Sequence, residues 1–201
     1  MTVEIEKRRV YAIVDFDALD QNVQAMEEKL PQDVGMMAVI KTNAYGHGAK
    51  AIAKHLEDND RISGYAVATA EEALELRKAG IGKMILILGY VFEKDYEDLI
   101  LQDIRFGIYR KDVAQALDAA AEKCHKKALI HIKIDTGMHR IGYPVCQKSV
   151  EEIKEIAGLK HLCLEGIFTH FARADEADKS YAKKAYSLFK DMIGALQKED
   201  I

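Results

Sequence analysis

Residues 36–57 read MMAVIKTNAYGHGAKAIAKHLE and contain the pattern that decides the fold. Met36–Ile40 is a short apolar run without strict alternation, which is typical of a strand buried on both faces. A turn with two glycines follows the run. Ala49–Glu57 then places its apolar residues on one face of a helix. The stretch therefore predicts one unit of strand, turn and helix.

The same alternation recurs along the rest of the chain. An N-terminal strand, Val10–Asp15, and a helix, Leu19–Leu30, are predicted before the first unit. Further strands are predicted from apolar runs of four to seven residues, which are Tyr65–Ala68, Met84–Leu88, Phe106–Tyr109, Ala128–Ile134 and Leu164–Phe168.

Helices between these strands are predicted from amphipathic spacing framed by capping residues and glycines. Thr69 and Ser149 each begin a capping box, and Gly80 and Gly158 end the two helices that follow. Two more helices are predicted at Asp112–Cys124 and after the cap residue Asp178.

Six strand–helix units in series predict an α/β fold with parallel strands and helices packed outside them. A complete eight-unit barrel takes about 250 residues. An open doubly wound sheet would be complete at this length, but no GxGxxG follows the first strand. The motif residues described below also follow several different strands, whose ends meet at one mouth only in a barrel. We therefore predict one domain over residues 1–201, a (β/α)8 TIM-type barrel truncated after about six βα units.

Composition excludes several classes of protein. Hydrophobic residues make up 49% and charged residues 31% of the 201 positions, which excludes disorder. The net charge of −4 and the absence of a basic block give no indication of a nucleic-acid partner. The sequence has neither a signal peptide nor an apolar run near the ~20 residues that a membrane helix needs. Cys124, Cys146 and Cys163 lack CxxC spacing, which favours a reducing compartment, and we expect a cytoplasmic protein.

The first candidate functional group is Lys41, at the end of the predicted strand Met36–Ile40. Desolvation at a barrel mouth favours a neutral amine, which is a nucleophile toward carbonyl groups. Tyr45, four residues on, can reach back over the mouth. The alternative interpretation is a surface lysine beside the ordinary turn glycines Gly46 and Gly48.

The second candidate group lies in HIKIDTGMHRIGY, residues 131–143. Lys133 sits inside an apolar strand, where an unpaired ammonium is costly, so the amine must reach a partner, be modified or be neutral. Arg140 follows a glycine turn and can offer its guanidinium to a carboxylate or phenolate. The alternative interpretation is an ion pair between Lys133 and Asp135 with Arg140 in solvent.

The third candidate is His170, at the end of the sixth predicted strand. A lone histidine at such a position is usually a hydrogen-bonded structural residue. The histidines lack metal-ligand spacing, so we expect no metal site. Cys146 has no neighbouring base, and no GxSxG or Walker loop is present.

Three long motifs closely resemble the alanine racemase family, in family order and with family-like spacing. They are VIKTNAYGHG (39–48), HIKIDTGMHRIGY (131–143) and EGIFTHFARADEAD (165–178). The opening RVYAIVDFDALDQNV (9–23) also resembles the N-terminal stretch of that family. The resemblance implies an N-terminal α/β barrel followed by a C-terminal β domain, a pyridoxal 5′-phosphate cofactor and a homodimer.

The resemblance also implies a role for each candidate residue. Lys41 would hold the cofactor as a Schiff base and act as one catalytic base, and Tyr45 would contact the cofactor phosphate. Lys133 would be a carbamylated lysine that orients Arg140. Arg140 would contact the phenolic oxygen of the cofactor and the substrate carboxylate. His170 would pack near the pyridine ring.

The implied activity is the interconversion of L-alanine and D-alanine, for cell-wall D-alanine synthesis, with serine as an alternative substrate. The resemblance further implies a last barrel segment and a C-terminal β domain, whose motifs these 201 residues do not contain. We therefore expect this chain alone to be inactive and to self-associate. Two alternatives stay open: a decarboxylase of the same barrel type, and a cofactor-binding module without activity.

Overall fold

The structure is a computed structural model that describes residues 10–201. Strands and helices alternate along the chain. In order they are α1 (Phe16–Glu27), β1 (Met36–Val39), a single turn α2 (Lys41–Tyr45), α3 (Ala49–Leu56), β2 (Ile62–Val67), α4 (Ala70–Lys78), β3 (Met84–Ile87), a 3₁₀ turn (Glu93–Asp95), α5 (Tyr96–Leu101), β4 (Arg105–Ile108), α6 (Lys111–Lys123), β5 (Ala128–Asp135), β6 (Tyr143–Pro144), α7 (Gln147–Ala157), β7 (Leu162–Phe168) and α8 (Ser180–Gln197).

The main sheet has the strand order β1-β2-β3-β4-β5-β7, and every pair in it is parallel. The two-residue strand β6 pairs with the end of β5. The sheet curls into part of a barrel with the helices outside, which confirms the predicted truncated (β/α)8 architecture. All six strands predicted between Met36 and Phe168 are present. Strand β2 begins at Ile62 and β7 at Leu162, two to three residues earlier than predicted, because both residues are buried under the helices.

The core lies between the outer face of the sheet and the helices. Isoleucines at alternating positions of β5, Ile130, Ile132 and Ile134, are fully buried there. The apolar faces of the helices pack against this layer, and their buried residues include Ala53, Leu56, Ala73, Leu76, Leu99, Leu117, Ile153 and Ile156. At roughly 25 cal/mol for each Å² buried, this layer supplies the main stabilisation of the fold.

The inner face of the sheet is covered less completely. Val39, at the end of β1, is 44% exposed. Helix α1 packs beside α3, with Phe16 stacked on His55, and has no fully buried residue. A cavity of about 540 Å³ lies between α1 and β1 and has mostly apolar walls. Strand β1 pairs with β2 on one side, and among residues 10–201 no strand pairs with its other edge.

The predicted N-terminal strand Val10–Asp15 is wrong. Residues 10–15 contain no strand, and the side chains of Val10 and Ile13 are 83% and 75% exposed. An apolar segment forms a strand only when its backbone pairs with a neighbouring strand edge. Residues 13–15 lie beside the open edge of β1, across the 540 Å³ cavity, but no backbone hydrogen bond joins residues 10–15 to β1.

Three helix starts also differ from the predictions. Helix α1 begins at Phe16 because the Asp15 carboxylate caps it, accepting the N–H of Ala18 at 3.1 Å. Helix α7 begins at Gln147, so Ser149 lies in its first turn rather than at its cap. The Asp178 carboxylate accepts the N–H of Ser180 at 2.9 Å, one position before the N-cap residue of α8.

Four short elements were not predicted from the sequence, which are the turn α2, the 3₁₀ turn, α5 and the two-residue strand β6. The 3₁₀ turn and α5 together span only nine residues, too few for a clear helical period.

In the described range, no helix is both long and apolar enough to span a bilayer.

Candidate active site

The five residues singled out from the sequence line one cavity of about 590 Å³ on the inner face of the sheet. The cavity lies at the carboxyl ends of the strands, where barrel proteins place their sites. Leu86, Ile167 and Phe168 contribute to its apolar wall. The candidate residues that meet there are Lys41, Tyr45, Lys133, Arg140 and His170.

Lys41 and Tyr45 are placed by turn α2, whose backbone is left-handed. The φ angles from Thr42 to Tyr45 lie between 51° and 54°, although none of these residues is glycine. A left-handed conformation costs roughly 1–2 kcal/mol for each such residue. A run of four is therefore held by contacts rather than by intrinsic preference.

Several of these contacts lie within the segment itself. The N–H of Ala44 donates to the Ile40 carbonyl at 2.8 Å, and the His47 ring Nδ1 lies 2.9 Å from the Ala44 carbonyl. The side-chain oxygen of Asn43 accepts the N–H of Ala49 at 2.9 Å, which joins the turn to α3. Together these bonds leave Tyr45 61% exposed at the cavity mouth.

Lys133 is buried on β5, with 5% of its surface exposed. Its Nζ donates to the Ile134 carbonyl at 3.1 Å and lies 5.2 Å from the centre of the Phe168 ring. Burial lowers the pKa of Lys133 from 10.5 to about 8, against the opposing field of Asp135. The alternative interpretation of a Lys133–Asp135 ion pair is wrong, since no carboxylate of the described residues lies within ion-pair distance of this amine.

Asp135 instead shapes the loop that carries Arg140. Its Oδ1 accepts the N–H of Gly137 at 2.9 Å and of His139 at 3.1 Å. Although burial opposes it, these N–H groups hold the pKa of Asp135 below its usual value. Arg140 follows this turn, is exposed, and makes no hydrogen bond or ion pair with residues 10–201. Its guanidinium is free to pair with an anion in the cavity.

His170 lies just beyond β7. The adjacent Thr169 hydroxyl donates to the Ile134 carbonyl at 2.9 Å, which ties the end of β7 to β5. Burial lowers the pKa of His170, and the positive charges of Lys133, Arg140 and Lys41 lower it further. Both effects favour the neutral form of the imidazole.

The formal charges around the cavity are positive and come from two lysines and an arginine. Two histidines with lowered pKa values also line it, and no Asp or Glu of the described range does so. A partly desolvated site with this lining favours anions. No three His, Cys, Asp or Glu side chains between residues 10 and 201 come together in a metal-binding arrangement.

A deeper cluster on the inner face was not predicted. Arg105 on β4 pairs with Glu165 on β7 at 2.9 Å, and the Nε2 of His131 lies 3.7 Å from the same carboxylate. Burial lowers the pKa of His131, and its Nε2 has no hydrogen-bond partner. The three residues are far apart in the sequence, and only the inward alternation of the strands could have suggested their proximity.

Fold and cavity define an α/β-barrel domain with a cationic, lysine-containing site at the carboxyl ends of its strands. Residues 14–201 match the family described as alanine racemase, N-terminal domain. The chain belongs to this family, as its motifs indicated.

Curated relatives and solved structures agree with this assignment. The chain is 40% identical over 194 residues to the alanine racemase of Methanococcus maripaludis, covering 96% of this chain and 51% of that protein. It is 41% identical over 198 residues to alanine racemase 2 of Caldanaerobacter subterraneus, a match that covers 98% of this chain and 50% of that protein. The crystal structure of the Bacillus anthracis alanine racemase with bound L-Ala-P superposes with a TM-score of 0.85 at 34% identity. The match covers 94% of this chain and 48% of that one.

The alanine racemase of Clostridium difficile 630 is also similar, with a TM-score of 0.89 at 40% identity over 92% of this chain and 48% of that one. The chain thus spans about half the length of the curated relatives that it matches.

Proposed function

We propose that this chain forms the cofactor-holding half of a pyridoxal 5′-phosphate-dependent alanine racemase. One observation carries the proposal: groups from β1, β5, β7 and their loops, distant in sequence, converge on one cationic cavity. The similarity to alanine racemases over nearly the whole chain supports it.

The residues present fit this cofactor. An amine at the mouth matches its aldehyde, the cationic lining matches its phosphate and phenolate, and the apolar wall matches its flat ring. Lys41 would bind the aldehyde carbon, and the Tyr45 hydroxyl would bind a phosphate oxygen. When bound, pyridoxal phosphate supplies an electron sink for the charge left on an amino acid when its Cα proton is removed.

The protein's own groups would then orient the substrate and move protons. Lys41 would remove or return the Cα proton on the face that it borders. Arg140 would hold the substrate carboxylate with its guanidinium and also contact the phenolic oxygen. His170, whose lowered pKa favours the neutral imidazole, would pack beside the ring.

Lys133 would act as a carbamate. With its pKa near 8, roughly a tenth of the amine is neutral at pH 7. The neutral nitrogen can form a bond to the carbon of CO₂ and release one proton to water. The product is an anion, which removes the cost of a buried ammonium and would pair with Arg140.

The substrate would be alanine, with serine as the alternative of similar size. The bound L-Ala-P of the Bacillus anthracis enzyme supports an amino-acid-sized ligand. We further propose that the active assembly is a homodimer in the cytoplasm. Turnover would also require the half of the relatives' length that this chain does not span.

That half-length coverage favours one second candidate, a domain that binds the cofactor without turnover. Pyridoxal phosphate would be added to the purified chain, the absorbance recorded, and the adduct trapped with borohydride and mapped by mass spectrometry. Racemisation of L-alanine and L-serine would be followed by chiral separation, and loss of CO₂ from basic amino acids would test the decarboxylase. An adduct on Lys41 without turnover supports the binding domain, and no adduct on Lys41 contradicts both candidates.

A further inference from the structure

We infer that Glu72 is a positioning residue for Lys41, because it fixes the left-handed turn that follows the lysine. The inference deepens the proposed function and rests on it for the role of Lys41. Glu72 lies on α4, one turn after the N-cap residue Thr69. It does not line the cavity, so any effect that it has on Lys41 passes through the backbone.

The carboxylate of Glu72 joins two chain segments. Its Oε1 accepts the N–H of Thr42 at 2.5 Å, and its Oε2 accepts the N–H of Ala68 at 2.8 Å. Thr42 is the residue directly after Lys41, and Ala68 directly follows β2. A carboxylate that accepts two N–H groups makes charge-assisted bonds, which are stronger than neutral ones.

These two bonds begin where the sheet ladder ends. The last backbone bond between these strands runs from the N–H of Ile40 to the Ala66 carbonyl, at 2.9 Å. Beyond it the chain turns left-handed, and the two backbones can no longer pair. Glu72 bridges them at this point. Within residues 10–201, it is the one group outside segment 40–49 that hydrogen-bonds to the turn.

An ordinary helix cap does not account for this geometry. In a capping box, the glutamate reaches back to the N–H of the cap residue. Here the Thr69 hydroxyl accepts the N–H of Glu72 at 3.3 Å as a cap should. The Glu72 carboxylate, however, is directed to Ala68 and Thr42 instead of Thr69. The Thr69 cap fixes the backbone of Glu72. The Glu72 side chain in turn fixes the backbone N–H of Thr42, directly after Lys41.

Two variants distinguish the effect of the length of the Glu72 side chain from the effect of its negative charge. In Glu72→Gln the side chain keeps its length but has only one acceptor oxygen, so one of the two N–H groups loses its partner. In Glu72→Asp the charge at the helix start remains, but the shorter side chain cannot reach both N–H groups. Glu71→Gln is the matched control, since Glu71 is exposed in the same first turn and makes no bond to the turn after Lys41.

The first readout is hydrogen exchange of the Thr42 and Ala68 amides. We expect exchange at one or both to accelerate by about tenfold in Glu72→Gln and Glu72→Asp, and to stay unchanged in Glu71→Gln. The second readout is the share of borohydride-trapped pyridoxal phosphate on Lys41 relative to the exposed Lys54. We expect this share to fall in both Glu72 variants and to stay at the wild-type value in the control.

A purely structural role for Glu72 would lower the unfolding midpoint and leave the Lys41 share unchanged, and this result would overturn the inference. If the wild type traps no pyridoxal phosphate on Lys41, the proposed function fails. The inference is then decided by reductive methylation with formaldehyde, which needs no cofactor site. An equal Lys41 methylation rate in wild type and in both Glu72 variants would overturn it, and a changed rate would support it.

Discussion

Lys133 and Phe168 face each other across β5 and β7, with the lysine Nζ 5.2 Å from the centre of the ring. Among residues 10–201, the amine has one hydrogen-bond partner, the backbone carbonyl of Ile134. A cation buried beside a ring and a carbonyl is poorly compensated, because a carboxylate within reach is what normally offsets such burial. The lowered pKa of Lys133 reflects the free-energy cost of burying its ammonium group.

The first prediction is that Lys133→Met stabilises the protein in buffer freed of CO₂. The folded-state pKa, about 8, lies below the unfolded value of 10.5, so the folded protein binds fewer protons between these pH values. The free energy of unfolding of the wild type therefore rises with pH across this window, and below it the full penalty is present. We expect the variant to gain about 2 kcal/mol at pH 7.

The gain should decrease above pH 8 and vanish above 10.5, as urea unfolding at several pH values would show. Lys148→Met, at an exposed position on α7, is the control and should change little at any pH. Adding bicarbonate should stabilise the wild type but not Lys133→Met. A gain for the variant that is the same at pH 7 and pH 11 would contradict the assignment of the penalty to charge.

The second prediction concerns Lys41→Ala. We expect this variant to lose the borohydride-trapped adduct of pyridoxal phosphate and to keep its unfolding midpoint. Lys41 lies at a strand end in an open cavity, so its truncation leaves no buried void. Lys54→Ala, on the exposed side of α3, should keep the adduct. Peptide mapping that finds the wild-type label on another lysine would refute the role of Lys41.

The third prediction is that Thr42→Gly stabilises the fold. Thr42 is exposed and β-branched, yet its φ is 51°, a conformation that glycine adopts without penalty. After the greater chain entropy of glycine is subtracted, we expect a gain of roughly 0.5–1 kcal/mol in thermal unfolding. Thr42→Ala keeps a Cβ atom and should stay near the wild type. Equal effects of the two substitutions would argue against backbone strain in this turn.

The fourth prediction compares two glycines. At Gly142 the φ is +130°, and a Cβ atom would lie 2.6 Å from the backbone nitrogen of Asp135. Gly142→Ala should therefore cost at least about 2 kcal/mol and displace the loop that carries Arg140. Gly194 lies inside α8 with open space around its Cβ position. Gly194→Ala should instead stabilise by about 1 kcal/mol, and both effects are measurable by chemical unfolding.

The strands could be predicted from the sequence because β1 to β5 and β7 each contain a short, mostly apolar run, which is recognisable without knowledge of its pairing partner. The segment 10–15 has an equally apolar sequence but no strand, because its backbone does not pair with the β1 edge beside it, and sequence does not reveal which edges pair. The convergence of Lys41, Lys133 and His170 could be predicted because each lies at or near a predicted strand end. The left-handed turn could not be predicted, since residues 42–45 lack glycine. The hydrogen bonds of Glu72 could not be predicted either, since the bond to Thr42 spans 30 positions.

The last prediction is that the purified 201-residue chain self-associates through the surface between α1 and β1. Ile13 and Met26 line the 540 Å³ cavity there and are 75% and 58% exposed, beside a β1 edge whose N–H and C=O groups are unpaired among the described residues. Exposed apolar area next to an open strand edge favours pairing with another chain.

Light scattering should give a mass above 22.6 kDa. Ile13→Lys with Met26→Lys should shift the mass toward the monomer, whereas Tyr186→Lys, at a position 55% exposed outside the cavity, should not. A wild-type chain that is monomeric at all concentrations would contradict the prediction, and an equal shift by Tyr186→Lys would place the contact elsewhere.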